Sequence, residues 1–269
     1  MRLQTKRLFS QLFFLTSANL GIFGIKTGLC YPFFYCHSCP AAIAGCPLGV
    51  IEHSIYRGRL SLSLLLYPFL ILGAICLIIG RAVCGWLCPI GLLQRATYPL
   101  SDKIRKRLGL PDLSPTLISR ARYIKYGVFI VLVVVTTYTL GFMFTDICPV
   151  GFLVGTLPVY SLNHDKFVPN QFFVPALIVF ILFIILIIIS GRGWCKYFCP
   201  LGAIFALFNK ISLLSVHVDK DKCVHCNICV KACPMGIDVP NMYRDPECIL
   251  CGKCIDACPH GAISYRVGR

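Results

Sequence analysis

Four long apolar stretches dominate the pattern of hydrophobic and polar positions along the chain. Each is close to the about 20 apolar residues that an α-helix needs to cross the hydrocarbon core of a bilayer. The last stretch is the purest, since no polar side chain interrupts it between Ala176 and Ile189. The pattern predicts four membrane-spanning helices, over about residues 8–25, 60–79, 126–144 and 172–189.

Two further segments mix apolar residues with polar or charged ones. Ile90–Leu110 carries several Lys and Arg residues, and Leu201–Val216 is interrupted by Asn209 and Lys210. Both patterns predict helices that lie at the membrane surface. The first apolar stretch follows a basic N-terminus, which is also how a cleaved signal peptide begins. Because no clear small-x-small cleavage site follows it, a retained helix is favoured.

The charges favour a membrane protein with a defined orientation. The chain is 57% hydrophobic and 14% charged, with a net charge of +15, whereas a soluble domain has about 25% charged residues. With four spans both termini share one side, and 22 of the 26 Lys and Arg residues fall on that side. The positive-inside rule therefore predicts a multi-pass protein of the cytoplasmic membrane with both termini cytoplasmic. This orientation explains the positive charge without nucleic-acid binding.

Eight of the 18 cysteines form a duplicated motif near the C-terminus. Each copy has the spacing C-x2-C-x2-C-x3-C-P of bacterial two-cluster ferredoxins, in which the fourth cysteine of one run ligates the other cluster. The spacing predicts two [4Fe–4S] clusters, one on Cys223, Cys226, Cys229 and Cys258 and the other on Cys248, Cys251, Cys254 and Cys233. A pair of zinc knuckles is the alternative, but zinc sites usually have a longer spacer between their C-x2-C pairs.

The change in composition before this motif predicts a domain boundary. The long apolar runs end near residue 216. We therefore expect a transmembrane domain over residues 1–216 and a cytoplasmic ferredoxin-like domain over residues 217–269. The predicted fold class is a membrane all-α four-helix domain followed by a small α+β two-cluster domain with two short βαβ-like halves.

Two matching cysteine pairs follow the spans that end on the cytoplasmic side. Each pair has the pattern C-x3-C-P-x-G, and the proline places its second cysteine at a helix N-terminus, where the helix dipole favours a thiolate. The pairs predict a third metal site, or a rim on which the ferredoxin domain docks. The alternative is four buried packing residues. The four cysteines are Cys84, Cys88, Cys195 and Cys199.

A further group of cysteines falls in the predicted loops on the opposite side. These residues are predicted to converge on an outer four-thiolate site that holds a cluster, although an oxidising compartment would also permit disulfides. Two of them begin Cys-Pro-x-Gly tetrads, so this tetrad alternates between the two sides along the chain. A redox site at each face of a core about 30 Å thick would form an electron relay across the membrane. The outer cysteines are Cys36, Cys39, Cys46 and Cys148.

The combination of these motifs resembles a known family. Four spans, two inner C-x3-C-P motifs and a C-terminal double ferredoxin run are similar to the membrane-bound ferredoxin-type quinol dehydrogenase subunit of periplasmic nitrate reductase systems, the NapH/MauN type. The resemblance covers the chain from about Leu60 to its end and extends to the four inner and the eight C-terminal cysteines. It implies quinol oxidation at the membrane and electron delivery to a partner redox protein. The outer cysteines depart from that pattern, which favours a relative that serves a different terminal enzyme.

The predicted function is iron–sulfur electron transfer between a quinone pool, or a cytoplasmic donor, and a partner redox protein. The alternatives are a reductase that acts in the metal or cofactor maturation of another enzyme, and a metal-binding scaffold without redox activity. No dinucleotide fingerprint or phosphate loop is present, so no catalytic site for a small substrate is predicted. The expected cofactors are two [4Fe–4S] clusters, one or two further clusters in the membrane domain, and a quinone. Lipid is an expected partner.

Overall fold

Helices make up most of the regular structure of the protein. The computed structural model of the chain describes residues 3–36, 39, 41–58, 60–107, 121–162, 168 and 170–268. Within these residues one two-stranded sheet is present, and all other regular elements are helices. The helices are α1 (Leu3–Ala18), α2 (Pro47–Ser54), α3 (Leu62–Ile79), α4 (Ala82–Trp86), α5 (Pro89–Arg107), α6 (Ile124–Thr139), α7 (Pro149–Ser161), α8 (Phe173–Ser190), α9 (Pro200–Asn209), α10 (Ile228–Ala232) and α11 (Lys253–Ala257).

Helices α3 and α8 correspond to the second and fourth predicted spans. Among the described residues, they are the two helices that are long and apolar enough to cross a membrane. Only 17% of each is buried inside the protein, whereas the core helix of a soluble protein would be mostly buried. Large apolar side chains such as Leu70 and Leu182 therefore point outward. A lipid environment would remove this apolar surface from water.

The first and third predicted spans differ from the prediction. Helix α1 stops at Ala18, where the Asn19 side chain donates to the carbonyl of Leu15 at 2.7 Å. A short 3₁₀ turn then follows instead of a continued helix. Helix α6 ends at Thr139, shortly before Gly141 takes a left-handed φ of 68°. Both helices are shorter than a membrane span requires, so the structure has two such helices in its described residues and not four.

The second part of the segment between α1 and α2 is buried, although the sequence predicts an outer loop there, whereas residues 22–29 are exposed. Tyr31, Phe33, Phe34 and Tyr35 are all buried, and the hydroxyl of Tyr31 donates to the carbonyl of Ala18 at 2.8 Å. The rings pack on one another, since the centroids of Tyr31 and Phe33 lie 4.8 Å apart. This aromatic segment therefore fills the centre of the helical domain.

The C-terminal part has less regular structure than predicted. Strand β1 (Leu214–Val218) pairs antiparallel with β2 (Ile263–Val267), with Val216 opposite Tyr265. Within the described residues this pair is the whole sheet, and no βαβ half is present. The segment between the two strands is taken up mainly by the cysteine loops, and it contains only the short helices α10 and α11.

The predicted surface helices also need correction. Helix α5 covers Pro89–Arg107, and residues 108–110 of the predicted segment lie outside the described residues. The segment Leu201–Val216 was expected at the membrane surface, but α9 ends at Asn209 and is mostly buried. The residues after it enter β1, which begins before the predicted domain boundary at residue 217. Helix α9 is buried because it packs against α3 and α6, and at its end Asn209 donates to the carbonyls of Asp245 and Cys248.

Candidate iron–sulfur sites

The first cysteine set predicted for the C-terminal motif surrounds one cavity. The cavity encloses about 360 Å³ of space and opens toward solvent on the side of Val224 and His260. Its cysteines come from the first loop, with one contribution from the second loop. They are Cys223, Cys226, Cys229 and Cys258.

The second predicted set surrounds a neighbouring cavity of about 350 Å³. This cavity lies deeper, because Met235, Ile237 and Ile249 cover it with buried apolar side chains. Each cavity is thus lined by three cysteines of one motif and the last cysteine of the other, while ligation itself stays a prediction. The cysteines of this cavity are Cys233, Cys248, Cys251 and Cys254.

The two cysteine loops share an unusual backbone conformation. In the first loop His225 and Asn227 have φ values of 52° and 58°, and in the second Leu250 and Gly252 have φ values of 49° and 69°. These residues occupy equivalent positions in the two motifs. A positive φ is uncommon for residues other than glycine and costs energy. Successive turns of this kind can direct backbone N–H groups toward one point, which suits an anionic cluster.

The four inner cysteines of the helical domain meet around a third cavity. It encloses about 320 Å³, close to the volumes of the two ferredoxin-type cavities. Aromatic and aliphatic side chains form the rest of its wall, including Phe33, Phe34 and Phe205. Burial raises the pKa of the Cys88 thiol to about 12. The cysteines of this inner cavity are Cys84, Cys88, Cys195 and Cys199.

Helix starts position the second cysteine of each inner pair. Cys199 is the N-cap of α9, and its Sγ accepts from the backbone N–H of Gly202 at 3.4 Å. Cys88 has the equivalent place before Pro89, and hydrogen bonds from the backbone of Gly91 stabilise its thiolate form. Each Cys-Pro-x-Gly tetrad therefore turns a sulfur toward the cavity together with the N–H groups of a helix start.

Buried donors around the inner cavity fit a negatively charged group. Gln94 donates from Nε2 to the Sγ of Cys195 at 3.1 Å. Within the described residues, five buried donor atoms have no hydrogen-bond partner, and three of them belong to this region, namely Nε1 of Trp194, Nε of Arg81 and Nη1 of Arg192. Unpaired buried donors are costly. An anionic iron–sulfur cluster on the four thiolates would balance the two buried arginines and offer acceptors to these groups.

An ion-pair cluster joins the inner cavity to the C-terminal cysteine loops. Glu247 precedes Cys248 and contacts both Arg81, at 2.7 Å, and Lys125. All three side chains are buried. Burial alone would raise the pKa of Glu247, but the charges of Arg81 and Lys125 outweigh it and hold this pKa below its ordinary value. The carboxylate therefore stays ionised and fixes the second cysteine loop against the helical domain.

The second cysteine loop also lies directly against the inner cysteine segment. Trp86 donates from Nε1 to the carbonyl of Leu250 at 2.8 Å. At Gly85 an added Cβ would lie 2.3 Å from the carbonyl oxygen of Ile249, so a side chain there would prevent the contact. Cys84 packs against the apolar group that covers the second cavity. The second C-terminal cavity and the inner cavity are thus neighbours.

Three of the four outer cysteines meet at a fourth cavity. Cys36, Cys46 and Cys148 line about 230 Å³ of space together with Thr145. Cys39 does not line this cavity and instead lies beside Tyr35. Its immediate neighbours 37, 38 and 40 are outside the described residues.

The inner and outer cavities share a wall. Phe34 lines both of them, and its ring centroid lies 6.4 Å from that of Trp194. Phe34, Gln94, Lys125 and Glu247 were not identified from the sequence. Only Glu247 carried a signal, because it directly precedes a cysteine motif.

Across the part of the chain that the structure describes, no group of three or more His, Cys, Asp or Glu side chains is arranged to hold one metal ion. A four-iron cluster binds each of its thiolates to a different iron atom, so its cysteines surround a space rather than a single point.

Two protein-family models match the chain. A model described as a 4Fe-4S binding domain matches residues 60–111 and 172–219, which contain the inner cysteine pairs. A model described as a 4Fe-4S dicluster domain matches residues 207–266. No solved structure gives a significant match.

Curated relatives point in the same direction. An uncharacterized protein of Methanocaldococcus jannaschii is 31% identical over 194 residues, which is 72% of this chain and 74% of the relative. The ferredoxin-type protein NapH of Escherichia coli is 26% identical over 202 residues, covering 74% of this chain and 62% of NapH. The methylamine utilization ferredoxin-type protein MauN of Methylobacillus flagellatus is 24% identical over 160 residues, covering 58% of this chain and 48% of MauN. With its paired cysteine motifs and these similarities, the chain belongs to the NapH/MauN-type family of ferredoxin-type 4Fe–4S proteins.

Proposed function

We propose that the protein is a membrane-bound electron carrier with two [4Fe–4S] clusters on its C-terminal cysteines and a third on Cys84, Cys88, Cys195 and Cys199. Iron–sulfur clusters supply one-electron chemistry at potentials that their surroundings set. The family supports an iron–sulfur electron-transfer role. The observation that carries the three-site proposal is the contact between Gly85 and Ile249, which makes the second C-terminal cavity and the inner cavity neighbours.

The residues around the sites have clear tasks in this proposal. The ion-pair cluster of Arg81, Lys125 and Glu247 holds the two parts of the protein in one arrangement. The apolar walls of the inner cavity exclude water, which strengthens the electrostatic effect of Arg81 and Arg192 on a bound anion. The first C-terminal cavity, beside the exposed Val224, is the place where a soluble redox partner would approach.

The wider setting follows from the sequence. We place the protein in the cytoplasmic membrane, in contact with lipid, with residues 217–269 and both termini on the cytoplasmic side. Quinol, or a cytoplasmic donor, and a partner redox protein are the proposed electron-exchange partners. The apolar outer faces of α3 and α8 support the membrane placement.

Iron analysis of anaerobically purified protein tests the third cluster. We expect the double variant Cys84→Ser/Cys199→Ser to contain about four iron atoms fewer per chain than the wild type, with the EPR signals of the C-terminal clusters retained. Cys76→Ser is the matched control, because Cys76 is a buried cysteine that lines none of the four cavities. Wild-type iron content in the double variant would refute the third cluster.

Quinol addition tests the partner. Oxidised protein in lipid nanodiscs should lose visible iron–sulfur absorbance when a short-chain quinol is added under anaerobic conditions. If quinol leaves the absorbance unchanged while a low-potential cytoplasmic reductant bleaches it, the quinol part of the proposal is wrong and a cytoplasmic donor remains.

A further inference from the structure

The outer cavity has the same local construction as the inner one. Cys148 is the N-cap of the helical segment that starts at Pro149, and its Sγ accepts from the N–H of Gly151 at 3.4 Å. The inner Cys199 accepts from Gly202 at the same distance. Cys46 likewise is the N-cap of α2 and directly precedes Pro47. Each cavity thus receives a sulfur from two Cys-Pro-x-Gly tetrads.

The third sulfur comes from the buried aromatic segment. Cys36 lines the cavity opposite the tetrads, and its Sγ would lie 3.5 Å from a Cβ added at Gly151. The same Cβ would lie 3.6 Å from the Cβ of Cys148. Cys36 and Cys148 therefore lie on either side of the same Gly151 position, each at van der Waals distance from it.

From this convergence we propose that the outer cavity holds a further iron–sulfur cluster on three thiolates, those of Cys36, Cys46 and Cys148. A multi-iron group fits better than a single ion, because the three cysteines line a cavity of about 230 Å³. The three ligands are assigned from the residues that line the cavity. A role of this cluster in electron transfer rests on the proposed function.

The number of thiolates agrees with the charges around the cavity. Neither the outer nor the inner cavity is lined by Arg or Lys in the described residues. The charges of Arg81 and Arg192 nevertheless act on Cys84 of the inner cavity, whereas the main charge effects on Cys46 and Cys148 come from other cysteines and from Glu52. Three thiolates bring less negative charge than four, so a three-thiolate cluster needs less compensation. One iron is then left for a non-cysteine ligand, and Thr145 and Tyr35 carry the hydroxyl groups in the wall.

This assignment differs from a four-thiolate site that includes Cys39. Cys39 is buried next to Tyr35 and does not reach the cavity wall. The two versions predict different results for Cys39→Ser. In the three-thiolate version this variant keeps the full iron content.

Iron and acid-labile sulfide measurements on the full-length protein, purified anaerobically, test the proposal. We expect Cys46→Ser/Cys148→Ser to lose about four iron atoms per chain while the EPR signals of the C-terminal clusters persist. Cys36→Ser provides a second variant in a less buried position if the double variant does not fold. Cys39→Ser and Cys30→Ser are the matched controls and should keep the iron content of the wild type.

Two results would overturn the proposal. One is an unchanged iron content in both the double variant and Cys36→Ser. The other is a disulfide between Cys46 and Cys148, seen as resistance of both thiols to alkylation in chelator-treated, denatured protein until a reductant is added. Loss of iron only in the outer variants, and not in Cys84→Ser/Cys199→Ser, would refute the inner cluster of the proposed function and leave the outer one standing.

Discussion

At the scale of single residues, buried charges decide how the two parts of the protein are held together. Glu247 lies between Arg81 and Lys125, and all three are removed from solvent. Removing one partner from a buried ion pair leaves an uncompensated charge, which is usually far more costly than losing a surface pair. Glu247 is therefore a structural residue, even though it is adjacent to a predicted cluster ligand.

Replacement of Glu247 by Gln should destabilise the protein by about 3–5 kcal/mol, because Arg81 and Lys125 would lose their common carboxylate. Thermal unfolding in detergent would show this as a lower Tm. Asp219→Asn is the control, since Asp219 forms an exposed pair with Lys222, and exposed pairs contribute less than about 1 kcal/mol. Equal Tm values for the two variants would contradict the prediction.

The ion pair also predicts a dependence on acid pH. The folded pKa of Glu247 is lower than its ordinary value, so its contribution to stability is complete above the unfolded pKa, near 4.3. That contribution is lost as the pH falls through the lower, folded value. In Glu247→Gln the acid-induced loss of stability should be smaller.

Glu52, beside the outer cavity, should have the opposite pH dependence. Burial raises its pKa to about 7, and hydrogen bonds from Thr145 and the N–H of Phe144 offset this only in part. Because the folded pKa exceeds the unfolded one, stability should be greatest below pH about 4 and should decrease until the pH reaches about 7. The decrease corresponds to about 3 kcal/mol.

Melting curves between pH 5 and pH 8 test this prediction. We expect the Tm of the wild type to decrease more over this interval than that of Glu52→Gln, which cannot ionise. Parallel curves for the two proteins would mean that Glu52 does not titrate in this range.

At the scale of secondary-structure elements, the sequence indicates helix cores better than helix ends. The pure apolar run from Ala176 to Ile189 lies within α8 as expected. In contrast, α1 and α6 end early, because Asn19 and Gly141 introduce turns that the apolar pattern hides. The burial of α9 was also not predictable, since its environment consists of residues distant in the chain.

Close approach between elements offers a sharp test of the junction. Gly85→Ala would place a Cβ 2.3 Å from the carbonyl oxygen of Ile249, so the second cysteine loop would have to move away. We expect faster cleavage by protease between residues 209 and 214 and a changed EPR signal of the reduced protein. Gly127→Ala is the control, because nothing lies within 4 Å of an added Cβ there. Identical cleavage rates in both variants would show that the junction tolerates the added carbon.

At the scale of the whole molecule, the cavities form a series. The first and second C-terminal cavities are each lined by cysteines from both motifs. The second of them adjoins the inner cavity at Gly85. The inner and outer cavities are both lined by Phe34. The sequence predicted the cysteine groups from their spacing, because local spacing reflects local geometry. It could not place Phe34, since an aromatic residue in a hydrophobic loop carries no distinctive pattern.

The shared wall predicts an effect of Phe34 on the rate of electron transfer rather than on metal content. Phe34→Leu should retain the iron content of the wild type, because the side chain provides no ligand. Under the proposed function, reduction of the outer site by way of the inner one should be slower, since the ring between the two cavities is replaced by a smaller group. Stopped-flow reduction of protein in nanodiscs would measure this. An unchanged rate would exclude the route past Phe34.

The pairing of tetrads also has a consequence for how such a protein arises. The first half of the chain contributes Cys84 and Cys88 to the inner cavity and Cys46 to the outer one. The second half contributes Cys195 and Cys199 to the inner cavity and Cys148 to the outer one. Neither half completes either cavity alone. A half-length chain with one tetrad for each cavity would complete both cavities by forming a dimer. Duplication and fusion of such an ancestor would produce the present arrangement, after which each cavity would be free to diverge, as the additional Cys36 of the outer cavity illustrates.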